Sequence, residues 1–202
     1  MGAFIRREIK LRLSEGLALL SDPAFKGAVA EDFKTFYYDT EDLGLLASHL
    51  TYIVNVTPEG CFGEINPTDN LEGGVFAMED WYRSQSGSGP ELEVFRDLKV
   101  WPRLESAVDG RELRLLFSAR FRRSMAILQV EDGSRIEIFL DVGELSAGSR
   151  REALAELKLI LTAGRAESLD RVAGEFSRRY SLIPEYRTKH RRGLDLAGLG
   201  AS

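Results

Sequence analysis

The chain begins with a rhythm of two. In "FIRREIKLRL", Phe4, Arg6, Glu8, Lys10 and Arg12 share one face, and Ile5, Arg7, Ile9, Leu11 and Leu13 share the other. Such alternation predicts a half-buried strand, because successive side chains leave opposite faces of a sheet. The rhythm then changes. In "DPAFKGAVAEDFKTF" Asp22 suits an N-cap, Pro23 a first turn, and Phe25, Val29, Phe33 and Phe36 one stripe, so a helix is predicted. A short helix carrying Leu43 and Leu46, capped by Asp39 or Thr40, comes next. "LTYIVNVTPEGCFGEIN" reads as two strands joined at "PEG".

From residue 67 to 90 the pattern is loop-rich, with a short "FAMEDWYR" helix and a surface loop at "SQSGSGP". Strand character resumes at "ELEVF", followed by a helix over "WPRLESAVDG" that stops near Gly110. Two strands are predicted at about 113–123 and 125–130, and "EDGS" turns into a third, "RIEIFLDVGE". "EALAELKLILTAG" favours helix by its letters, yet Leu157, Leu159 and Leu161 oppose Glu156 and Lys158, so a strand is predicted. "RAESLDRVAGEFSRRYSL" is an amphipathic helix, and "TKHRRGLDL" is expected to be a last strand. Many short antiparallel strands with helices between and after them give an α+β domain built on a barrel. One domain is expected over 1–202, with its core at about 4–195 and a flexible tail at 196–202.

Composition narrows the function classes. Lys plus Arg number 27 against 32 Asp plus Glu, so a general nucleic-acid binder is disfavoured. The local exception is the basic cluster at 187–192: Arg187, Lys189, Arg191 and Arg192. Four bases without interleaved aromatics suit a solvated strand end better than a nucleic-acid surface. Cys61 is a lone cysteine, and neither His49 nor His190 sits in a metal or nucleophile pattern. No window approaches a membrane span and no signal sequence opens the chain, so the cytoplasm is the expected location. Several strands, however, carry mixed charge on one face: Glu8, Lys10 and Arg12; Arg120 and Arg122; Arg135, Glu137 and Asp141; Glu156 and Lys158. An exposed sheet face and a charge-lined tunnel would both look like this.

Five segments, taken in order, resemble the CYTH or triphosphate tunnel family, which includes inorganic triphosphatases, thiamine triphosphatases and class IV adenylyl cyclases. "REIKLRL" resembles its opening Glu-x-Glu-x-Lys strand, and "YYDTEDLGLL" its Tyr-Tyr-Asp-Thr segment. "GSRIEIFLDVGELSAGSR" is similar to its Arg-Ile-Glu-Val-x-x-Asp-x-Gly-Glu stretch, "ELKLILTAG" to its Glu-Leu-Glu-Leu-Glu strand, and "TKHRRG" to its closing Lys-Ser-x-Arg-Gly. The resemblance implies a closed antiparallel barrel of about eight strands with flanking helices, whose lumen holds a triphosphate. In active members lumen glutamates hold Mg²⁺ or Mn²⁺, while Arg and Lys grip phosphate oxygens. Buried polyanions and carboxylates need such partners.

This chain departs from that pattern where the chemistry would sit. Glu8, Glu137, Asp141 and Glu156 match, but Lys10 and Lys158 stand in place of glutamates, Ile160 replaces a third, and Arg12 replaces a lysine. The Arg-x-Arg of the family falls on Ile53 and Asn55, and its Thr-x-Lys on Glu64 and Asn66. An ammonium about 4 Å from a dication costs about 8 kcal/mol at an effective dielectric of about 20. Hard cations also need several oxygen ligands. The resemblance therefore implies a degenerate member: a binding or scaffold module that holds a phosphorylated ligand or polyphosphate without metal, or serves a protein partner. Its expected contacts are Lys10, Arg12, Arg120, Arg122, Lys158, Lys189 and Arg191, with Glu8, Glu137 and Glu156 as remnant metal positions. No cofactor is expected. The alternative is a weak triphosphatase, which alone would require Mg²⁺ or Mn²⁺.

Overall fold

The computed structural model describes residues 5–13, 17–68, 75–77 and 81–200. Ten strands form one antiparallel sheet: β1 (Ile5–Arg12), β2 (Val29–Asp39), β3 (Leu50–Thr57), β4 (Gly60–Pro67), β5 (Val75–Ala77), β6 (Trp81–Gln85), β7 (Arg114–Gln129), β8 (Arg135–Ala147), β9 (Arg150–Ala163) and β10 (Ile183–Pro184). Their order is β10-β1-β9-β8-β7-β2-β3-β4-β6, with β5 also paired to β1. Helices α1 (Gly44–Ala47), α2 (Trp101–Val108), α3 (Ala166–Tyr180) and α4 (Lys189–Ala197) surround it. The fold is α+β, but the sheet is open, not the closed barrel expected. The free side of β1 is divided between two short strands, β5 against Ile5, Arg6 and Arg7 and β10 against Leu11 and Arg12. Among the described residues neither carries a ladder across to β6, which there pairs only with β4.

Alternation sorts nearly every strand cleanly. On the outer face Leu11, Ile136, Ile138, Leu140, Leu157 and Leu159 pack beneath α3, which contributes Leu169, Val172, Ala173 and Phe176. Leu50, Tyr52, Val54 and Ile65 lie outward on β3 and β4 and meet Leu104, Ala107 and Val108 of α2. The complementary residues, among them Thr35, Thr51, Asn55, Glu64, Glu156 and Lys158, face one cavity on the inner side. Arg7 is on the outer face of β1 and reaches Asp170 of α3 at 3.1 Å. Phe4 lies outside the described residues.

Five predicted elements differ. The helix expected after Asp22 is a single 3₁₀ turn, Pro23–Phe25, followed by β2. Asp22 does cap that turn, accepting from the Ala24 amide at 2.8 Å. The period of β2 was masked because both its faces are covered: Phe33 and Tyr37 look into the cavity, Phe36 and Tyr38 into the outer cluster. The described parts of "FAMEDWYR" belong to β5 and β6, and "ELEVF" ends in a 3₁₀ turn, Leu92–Phe95. The stretch taken as two strands over 113–130 is the one long β7.

The basic "TKHRRGLDL" is helix α4, not a strand. Thr188 caps it by accepting from the Arg191 amide at 3.0 Å. Arg192, Gly193 and Leu194 are its buried residues, and residues 196–199 continue the helix and its cap. Gly193 permits the close docking: a Cβ there would meet the Phe117 ring at 2.0 Å. Gly193→Val should therefore lower stability by about 1–3 kcal/mol through overpacking, read as a fall in the urea midpoint at unchanged slope.

Candidate functional site

The inner face of the sheet and α4 enclose a cavity of about 1040 Å³. Its walls differ in kind. On the side of β1, β7, β8 and β9 the groups are acids and bases, most of them paired. Asp141 and Glu156, 1% and 2% exposed, flank the Lys189 ammonium at 2.8 and 2.6 Å. Arg123 grips Asp141 through two parallel hydrogen bonds of 2.7 and 2.8 Å. Its guanidinium lies 5.0 Å from the Phe33 ring centre and 5.3 Å from that of Phe121, an aromatic seat that suits a weakly hydrated cation. Lys10 pairs with Glu8 at 3.4 Å. Arg192, 1% exposed, donates to Glu152 at 2.8 Å and to the Ala153 carbonyl at 2.9 Å, with Glu156 at 3.9 Å.

The titration of these groups follows from their pairing. Burial pushes the Asp141 and Glu156 carboxyls up, but Lys189, joined at Asp141 by Arg123, more than reverses this and holds both well below the usual range. Burial likewise opposes the Lys189 charge, and the two carboxylates raise its affinity for the proton. Lys158 differs. Burial and the Arg123 charge push it down to about 8, although Glu8 acts the other way.

The opposite wall is hydrogen-bonding and carries one acid, Glu64. Thr35 Oγ1 donates to Asn55 Oδ1 at 2.9 Å, and Asn55 and Asn66 both donate to Glu64 at 2.9 and 2.8 Å. Asn66 Oδ1 is buried without a hydrogen-bond partner. His190 stacks with Tyr37 and approaches Thr51 Oγ1 at 3.4 Å. Asp39 organises the rim, accepting from the amides of Thr40, Leu45 and Leu46 at 2.7, 2.8 and 3.0 Å and so capping α1.

Of the predicted contacts, Lys10, Lys158, Lys189 and Arg191 line the cavity. Arg191 does so from the rim, bonded to Asp195 at 3.0 Å. Arg12, Arg120 and Arg122 do not. Arg12 is exposed at the end of β1, Arg120 is exposed, and Arg122 points outward to Asp32 at 3.2 Å. The inward cation of β7 is Arg123, in step with buried Phe117, Ala119 and Phe121. That apolar parity was the signal available in the sequence. Of the remnant metal positions, Glu8 and Glu156 face the cavity, whereas Glu137 is not part of its lining. Among the described residues no three His, Cys, Asp or Glu side chains gather as a metal site. Glu8, Asp141 and Glu156 are each matched to a base and Glu64 to two amides, so this donor set does not fit a dication. In the 187–192 cluster, Arg187 meets Glu185 and Asp195, so every base there has an acid partner.

Removing one partner of the buried network should be severe. Lys189→Met strands two buried carboxylates and is expected to cost about 3–5 kcal/mol in urea unfolding. The His190 imidazole sets a separate acid limit, since burial, aided by Arg191, pushes it down to about 4. The unfolded chain binds the proton first, near pH 6.5, so stability should fall as pH drops from about 6.5 towards 4. His190→Asn should flatten that slope in denaturation curves taken at pH 5 and 7.

No family model matches the sequence. Solved structures do. An adenylyl cyclase candidate from Hippeastrum, described as having a dominant triphosphatase activity, is 16% identical, with 96% of each chain covered and a TM-score of 0.63. An adenylate cyclase candidate from Bacillus halodurans is 16% identical over 95% of this chain and 98% of its own, with a TM-score of 0.56. A protein from Pyrococcus horikoshii is 12% identical over 94% and 98%, at 0.55. At these identities the likeness is one of fold, and it spans almost the whole chain: this protein has the fold of the adenylyl cyclase and triphosphatase proteins to which its motifs pointed.

Proposed function

We propose that the chain is a triphosphate-tunnel protein of the CYTH type whose cavity binds a phosphate-bearing anion without a metal and does not hydrolyse it. One observation carries this reading: the Lys189 ammonium is seated between Asp141 and Glu156, with Arg123 on the far side of Asp141. The carboxylates that a dication would need are already neutralised by the protein itself. Phosphoryl transfer without covalent catalysis rests on positioning and charge stabilisation, and a metal ordinarily carries much of that. Of the six bases that line the cavity, Lys10, Arg123, Arg187, Lys189 and Arg191 are each paired with an acid, and Lys158 is the one, among the described residues, with no carboxylate in ion-pair reach, which leaves it for an anion. The same base suits a module that recognises a phosphorylated partner.

The description of the Hippeastrum protein favours a second reading, residual triphosphatase activity. Two measurements separate them. Calorimetry with tripolyphosphate in EDTA should show binding that weakens steeply with salt. Phosphate release from tripolyphosphate should stay at background with and without Mn²⁺. Turnover that depends on Mn²⁺ in the unaltered protein would establish the triphosphatase instead. In the double variant Lys10→Glu/Lys158→Glu, which returns two acids to the cavity, Mn²⁺ should begin to bind, detectable by electron paramagnetic resonance.

A further inference from the structure

Three acids line the cavity, and two of them are held by bases: Glu8 by Lys10 and Glu156 by Lys189. Glu64 is the exception. Among the described residues it has no base in ion-pair reach, and its oxygens accept from the Asn55 and Asn66 amides at 2.9 and 2.8 Å. A carboxylate can only accept, so both amide nitrogens must turn towards it. Asn55 Oδ1 then meets Thr35 Oγ1 at 2.9 Å, but Asn66 Oδ1 is left as a buried acceptor without a donor. The array that begins at Thr35 therefore ends in two neighbouring acceptors, Glu64 and Asn66 Oδ1, and is short of donors. Register gives the place a second property. Glu64 lies between Ile53 on β3 and Tyr82 on β6, and all three side chains line the cavity. The half-exposed Tyr82 ring stacks on Phe62 with the centres 5.0 Å apart. A carboxylate flanked by an aliphatic side chain and an aromatic face suits a cation with a hydrocarbon stem better than a hard metal ion.

We propose that Glu64, Asn66 and Tyr82 form a subsite for the ammonium group of a primary alkylamine. Such a group carries three donors and no acceptor, which is what two adjacent acceptors require. Its bond to Glu64 is charge-assisted and the strongest of the set. Asn66 Oδ1 takes a second donor, the Tyr82 face adds cation–π attraction, and the methylene stem lies along Ile53. A bare polyphosphate long enough to reach this wall would instead meet a carboxylate with no base beside it. The ligand of the whole cavity is then an amine that also carries phosphate. Its phosphate end rests on the function proposed above, and its ammonium end stands without it.

The test follows the NMR signals of the full chain as n-butylammonium is added, with n-butanol and trimethylbutylammonium as comparisons. n-Butylammonium should shift the signals of Ile53, Glu64, Asn66 and Tyr82 to saturation, and uncharged n-butanol should not. The trimethyl cation keeps the charge but has no N–H donor, and should bind at least about fivefold more weakly. Glu64→Gln should weaken n-butylammonium at least about tenfold. Tyr82→Leu, at a half-exposed position, should weaken it about two- to fivefold. No saturable shift at these residues, equal binding of the trimethyl cation, or undiminished binding by Glu64→Gln would each overturn the proposal, and the ligand comparisons decide it in the unaltered protein even where a variant fails to fold. 6-Aminohexyl phosphate scores the two ends separately. Binding tighter than that of both n-butylammonium and inorganic phosphate supports both ends; binding no tighter than that of n-butylammonium, and lost in Glu64→Gln, keeps the ammonium subsite and removes the phosphate from this cavity.

Discussion

Asp141 and Glu156 are ionised carboxylates in the middle of a folded protein, and almost everything around the cavity answers to that fact. Moving such a group out of water costs several kcal/mol even after relaxation, and only short, well-aligned cations repay it. Arg123 must therefore point inward from β7, which fixes the parity of that strand against β8. Lys189 must reach in from beyond the sheet, which fixes where α4 starts and requires Gly193 to lie against Phe117. Arg192 is drawn under the same group and held by Glu152 and the Ala153 carbonyl. The sheet, the helix and the charge pattern form one solution to one desolvation problem.

How legible this was depended on how many faces each segment buries. The alternation in β1, β8 and β9 could be read because one face is apolar and the other charged; even the helix-prone letters of β9 gave way to it. In β2 the period was hidden, since aromatic residues cover both faces and their spacing imitates a helical stripe. α4 failed for another reason. Its bases suggested a solvent-facing strand, whereas Lys189 and Arg192 are turned inward to acids some thirty to fifty residues earlier in the chain, a pairing that only tertiary structure can supply. Arg120 and Arg122 lie three positions and one position from Arg123, and in a strand an odd step is the whole difference between outside and inside. The short strands β5 and β10 have too few residues to show any period, and with them went the expectation of closure.

The cavity is best understood as two unlike walls facing each other. The ionised wall is a set of ion pairs, its bases matched to acids within the protein. The other wall, Thr35, Asn55 and Asn66 gathered about Glu64, is instead ordered by directed hydrogen bonds. Lys158 belongs to the first wall, on β9 between Lys10 and Phe139, and is the lysine whose charge is least secure.

α4 also has a meaning beyond packing. Because Lys189 is joined to the sheet by the same polypeptide, the cation held by Asp141 and Glu156 never dilutes away. A dissolved ion competing for that place faces a rival whose local concentration is set by chain connectivity and is of millimolar order or above. Lowering the metal content of the surroundings would leave the seat filled, and raising it would have to undock a helix as well as displace a charge.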